Sequence, residues 1–144
     1  MSLQLNYQTA QMRVCIDSVD NGKISGYVVS QRMHTPIAFS DITEFLTKAE
    51  AVMDTQKYPQ AFQRIRTFTD KEHPEVSAVE TKESLLDKAT VDSHTGKVST
   101  FLLQVISRRN ATWQGRVDWL DGEDSIKFNS TLEFLKILVD KFLA

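Results

Sequence analysis

Two stretches of this chain alternate apolar and polar residues around a turn and then pass into a helical pattern. In the first, Met12, Val14 and Ile16 alternate with Arg13, Cys15 and Asp17; Asp20-Asn21-Gly22 follows, and Ile24, Gly26 and Val28 resume the two-residue period. Asn-Gly tolerates the positive φ that a twisted strand pair demands, so this pattern predicts a β-hairpin. Pro36 introduces a short strand, Ile37-Ala38-Phe39. Asp41 and Glu44 have the spacing of a capping box. Ile42, Phe45, Leu46, Ala49 and Met53 then recur at helical intervals, which places one apolar face on a sheet.

The second stretch repeats this order, with a strand over 101–107, a turn through Asn110, a strand over 113–120, the short run Ile126-Lys127-Phe128 and a helix reaching about Leu143. Trp113, Gly115, Val117 and Trp119 point one way and Gln114, Arg116 and Asp118 the other, as in an antiparallel strand with one wet face. Ser130 and Glu133 stand as a second capping box. Leu132, Leu135, Leu138, Val139 and Phe142 form an apolar stripe that Phe134 and Ile137 widen. A stripe that wide predicts either central packing or a subunit contact.

The two stretches align without a gap at an offset of 89 residues, 12–53 on 101–142, with nine identities in 42 positions. Average residue usage gives roughly two or three. The identities pair Ser18 with Ser107, Asn21 with Asn110, Gly26 with Gly115 and Val28 with Val117. They continue through Ile37, Phe39 and Glu44-Phe45-Leu46, matched by Ile126, Phe128 and Glu133-Phe134-Leu135. The expected fold is therefore α+β: an internally duplicated β-β-β-α unit forming one antiparallel sheet with two helices on one face. A small barrel closed by the two halves is the alternative. The chain reads as a single domain over 1–144, with repeat one at about 12–57, a polar insertion at about 70–97 and repeat two at about 101–144. Between them 61–69 could be extended or an edge strand, 84–88 a helical turn, and the insertion is read as mobile and solvated.

Length and composition fit one globular domain, with 41% hydrophobic and 25% charged residues in 144. A net charge of −2 gives no global attraction to nucleic acid or to anionic lipid. No apolar run reaches membrane-spanning length and residues 1–11 lack the layout of a signal peptide, so a cytoplasmic protein without a membrane partner is expected. The glycosylation patterns at Asn110 and Asn129 have no role there. Cys15, the single cysteine, excludes an intrachain disulfide and reads as a small buried residue.

Candidate chemistry is sparse. His34, His73 and His94 lie outside metal-ligand spacing of one another, and neither a nucleophile elbow nor a phosphate-cradling glycine loop occurs, so no metal, cofactor or catalytic set is assigned. Asp118 with Asp121 or Glu123 reads as a solvated turn. The strongest candidate is Ser107-Arg108-Arg109-Asn110-Ala111-Thr112-Trp113-Gln114-Gly115, where guanidiniums beside an indole and an amide suit an anionic, planar ligand. Arg108, Arg109, Trp113, Gln114 and Arg116 form the candidate ligand-binding set. In the first stretch Val19, Asp20 and Ile24 stand where Arg108, Arg109 and Trp113 do. A structural role is the competing expectation, with Arg108 and Arg109 capping an exposed hairpin and both tryptophans filling the core.

Asn110-x-Thr112-x-x-Gly115 resembles half of the PilZ signature, which implies cyclic di-GMP binding, but has Thr for Ser and lacks the companion R-x-x-x-R motif; Arg64 and Arg66 have the wrong spacing. Arg109-Asn-Ala-Thr-Trp-Gln-Gly115, then Trp119, then Phe128-x-Ser130-x-Leu132-Glu-Phe-Leu135 resembles a family of small bacterial proteins of uncharacterised function, which implies no activity, substrate or cofactor. The expected function is a non-enzymatic interaction or regulatory module that binds a protein partner or itself, through a sheet edge or the last helix. The alternative is a sensor of a small anionic, nucleotide-like ligand at the Arg108-Arg109/Trp113 hairpin.

Overall fold

The computed structural model describes residues 11–31, 33, 35–56, 87–120 and 122–143. Six strands, β1 (Met12–Asp20), β2 (Lys23–Val29), β3 (Ile37–Phe39), β4 (Ser99–Ser107), β5 (Gln114–Trp119) and β6 (Ile126–Phe128), pair antiparallel in the order β3-β2-β1-β4-β5-β6. The sheet stays open between β3 and β6, so the fold is α+β and the barrel alternative falls away. The end strands have three residues each, too short to wrap and pair. The helices are α1 (Ile42–Gln56), α2 (Lys88–Asp92) and α3 (Thr131–Phe142). The possible strand over 61–69 lies outside the described residues, as do His34 and His73.

The order β-β-β-α occurs twice, and corresponding features fall 89 residues apart. Asn21 and Asn110 both hold positive φ, 53° and 55°, in the turns after β1 and β4. Each of those strands carries a β-bulge, between Ile16 and Ser18 and between Val105 and Ser107. Opposite the bulges lie Gly26 and Gly115, where a Cβ would come within 1.9 Å of the Cys15 carbonyl oxygen and 2.0 Å of the Gln104 carbonyl oxygen. Only glycine lets the neighbouring backbone approach so closely. Across the centre of the sheet, Met12 pairs with Leu103 and Val14 with Phe101. Exchanging the halves maps each of these pairs onto the other, so a local two-fold runs between Arg13 and Leu102.

Both α1 and α3 lie on one face, because the rings of Phe45 and Phe134 meet at 6.0 Å between centroids within one continuous core. Phe39, Phe101, Phe128, Trp113, Leu103 and Leu138 complete the layer. Each large side chain removed from water there contributes about 2–3 kcal/mol. The two helices start alike. Asp41 Oδ1 accepts from the Glu44 amide at 2.8 Å while Glu44 Oε1 accepts from the Ser40 amide at 2.7 Å. Ser130 Oγ accepts from the Glu133 amide at 3.1 Å while Glu133 Oε1 accepts from the Asn129 amide at 2.8 Å.

The opposite face is treated differently in the two halves. Over β1 and β2 it is crossed by α2 and the segment that follows. Arg13 Nε donates to the His94 carbonyl at 2.5 Å, the Tyr27 hydroxyl bonds His94 Nδ1 at 3.2 Å, and the Lys97 amide donates to Asp17 Oδ1 at 3.1 Å. Val91 is buried beneath this strap, and Cys15 and Val29 are fully buried. Residues 87–97, expected to be mobile and solvated, are thus tied down: polar side chains on the outer face of β1 and β2 hold their backbone. The helical turn expected over 84–88 lies mostly outside the described residues, and the helix found begins at Lys88.

Candidate functional site

In β4, Phe101, Leu103 and Val105 face the core, so uninterrupted alternation would send Ser107 inward and Arg108 outward. The bulge before Ser107 adds one residue and reverses that order. Arg108 therefore points inward and is 2% exposed, although it was expected to cap an exposed hairpin. Its Nη1 lies 2.6 Å from Glu50 Oε2 and 2.6 Å from Asp54 Oδ1, and Nη2 donates to the Met53 carbonyl at 3.4 Å. The other Glu50 oxygen accepts from the Trp113 indole Nε1 at 2.6 Å. The guanidinium is thereby neutralised by acids on consecutive turns of α1, one of which also accepts the indole hydrogen bond. Such groups are costly to bury unless paired.

Trp113 is itself a core residue, 2% exposed, between Phe45 and Phe134. Gln114 holds the turn before it: its Oε1 accepts from Ser107 Oγ at 2.5 Å and the Arg109 amide at 2.9 Å. Its Nε2 donates to the Arg109 and Thr112 carbonyls at 3.2 and 3.1 Å. This clamp supports two consecutive non-glycine residues at positive φ, Asn110 and Ala111, an arrangement that costs energy and needs such fixing. Arg109 is on the exposed outside of the turn. The five candidate residues consequently separate: Arg108 and Trp113 face the helices, Arg109 faces water, and Gln114 and Arg116 share the opposite face of the sheet.

That opposite face carries a residue the sequence reading did not single out. Register places Gln104 beside Arg116 and Arg116 beside Lys127, in one row across β4, β5 and β6. An open depression of about 400 Å³ is lined there by Gln104, Ile106, Gln114, Arg116, Lys127 and Asn129. Lys127 was legible in principle, since Phe128 is buried in the core and strand alternation turns the residue before it outward.

Among the described residues no group of three or more His, Cys, Asp or Glu side chains could hold a metal ion. Cys15 is fully buried, and burial is the largest cause pushing its thiol up from the ordinary value. Burial likewise pushes the Tyr27 phenol up to about 12, with the neighbouring Cys15 adding to the shift. Both groups are held protonated, away from nucleophilic use.

The remaining feature is the outer surface of α3. Phe134 and Leu138 are buried, yet Leu132 is 75% exposed, Val139 46% and Leu143 38%. At about 100° per residue these three side chains fall within an arc of about 40°. Their counterparts on α1 at the 89-residue offset are Thr43, Glu50 and Asp54. No described helix is long and apolar enough to cross a membrane. The chain matches no protein-family model, no curated protein and no solved structure.

Proposed function

We propose that this chain is a non-enzymatic, cytoplasmic interaction module, built from two copies of one β-β-β-α unit, that pairs with a second copy of itself through the outer face of α3. The supporting observation is the contrast between equivalent helix positions. On α1 they are Thr43, Glu50 and Asp54, polar residues of which the two acids hold Arg108. On α3 they are Leu132, Val139 and Leu143, and the position equivalent to Arg108 is Val19. With Val19 in place of Arg108 there is no cation for acids to hold, yet Leu132, Val139 and Leu143 stay largely exposed, and covering them would remove a continuous apolar stripe from water.

A second copy fits this face by its own chemistry. In an antiparallel, two-fold pairing Leu132 of one copy lies over Leu143 of the other, and Lys136 comes level with Val139 and one residue from Asp140, so the apolar stripe and its flanking charges are self-complementary. The test is light scattering on wild type and on the L132E/V139E variant. The reading requires a dimer that the variant loses while its melting temperature as a monomer stays close to the wild-type value. A variant that keeps the dimer would place the interface elsewhere and overturn it.

A further inference from the structure

We propose that the face of β4, β5 and β6 opposite α1 and α3 is a binding site for a small, multiply charged oxyanion, gripped by Arg116 and Lys127. The two cations are direct cross-strand neighbours. Like charges placed opposite each other in a sheet repel and lower its stability. Among the described residues no carboxylate lies within ion-pair distance of either. The nearest acid on the same face of β5, Asp118, is two residues along and accepts from Ser125 Oγ at 3.2 Å. It is absent from the lining of the depression, which opens instead toward Gln104, Gln114 and Asn129. An anion settling between the cations on that side gains two charge-assisted contacts and relieves their repulsion.

The other half of the molecule shows what this face of the sheet accommodates. At the 89-residue offset, Gln104, Arg116 and Lys127 correspond to Cys15, Tyr27 and Ala38. There the chain covers its own sheet, with Tyr27 bonded to His94 and Thr95 and Cys15 fully buried. Among the described residues no segment crosses the equivalent surface over β4–β6, and its central aromatic is replaced by a guanidinium. The anionic ligand suggested by the hairpin sequence is thereby assigned to Gln114 and Arg116, joined by Lys127, and not to the internally paired Arg108. This site is independent of α3, so its test and that of the pairing can fail separately.

The experiment is a titration of nitrogen-labelled protein with inorganic pyrophosphate and, separately, citrate, followed by amide correlation spectra, on wild type and on R116Q/K127Q. Both substitutions are on the exposed face and leave the core untouched. The proposal expects saturable shifts centred on Gln104, Gln114, Arg116, Lys127 and Asn129, weakened about tenfold or more in the variant. Response to pyrophosphate alone assigns a phosphate ligand, and response to citrate alone a carboxylate one. No saturable shift with either probe, or equal affinity in the variant, would overturn it.

Discussion

Arg108 and Glu50, 58 residues apart in the chain, meet at 2.6 Å beneath the first helix, and the same carboxylate also accepts the Trp113 indole. This relationship ties β4, the start of β5 and α1 together at one point. It also assigns Arg108 to the scaffold, because its charge is already balanced by Glu50 and Asp54.

Replacing Arg108 by Ala strands two carboxylates beside the core without their cation. Glu50 and Asp54 keep partial access to water, at 34% and 27% side-chain exposure, which moderates the penalty. The expected loss is about 2–4 kcal/mol in urea unfolding. Arg109→Ala, at an exposed turn position, should change stability by less than about 0.5 kcal/mol. Equal effects of the two substitutions would contradict the assignment.

How much of this was legible in the sequence varies by element. The alternation of Trp113, Gly115, Val117 and Trp119 and the capping boxes at Asp41 and Ser130 located strands and helices, because both signals are local. The inward turn of Arg108 was not legible, since it depends on one extra residue in β4 that composition does not mark. Nor were its partners, as Glu50 and Asp54 read as an ordinary solvated helix face until the sheet order brings α1 over β4. The strap over 87–97 looked like free loop because its anchors, Arg13, Asp17 and Tyr27, lie far away in sequence.

The two buried glycines are predicted to behave as equivalents. In both G26A and G115A the new methyl group would collide with a backbone carbonyl that cannot move without breaking strand pairing. Each substitution should cost about 3 kcal/mol or more, seen as a large drop in melting temperature or loss of folded protein. Tolerance of either one would remove that half from the correspondence.

The helix caps supply a gentler test. Asp41→Ala and Ser130→Ala each delete an acceptor for the third amide of a helix, and each should cost about 1 kcal/mol. Because the two sites are separate, the double variant should lose the sum, measured by denaturant unfolding.

Alkaline behaviour follows from Tyr27. Its phenol is pushed from 10.0 up to about 12 in the fold, so the folded state holds its proton where the unfolded chain has released it. Its stabilising effect is therefore intact below about pH 10 and is lost as pH rises from there through about 12, with solvent screening of this part-exposed group holding the loss to about 1 kcal/mol. The upward shift of the Cys15 thiol acts in the same direction. Ultraviolet titration of wild type minus that of Tyr27→Phe isolates the Tyr27 step among the three tyrosines, and that step should come late, at about 12; a difference step at the ordinary tyrosine value would contradict the packing described for the strap.

The pairing of α3 is the central claim, and sedimentation velocity over a wide range of protein concentration tests it most directly. Wild type is expected to show a reversible monomer–dimer equilibrium, with the dimer mass reached at high concentration. A single monomeric species at every concentration would contradict it.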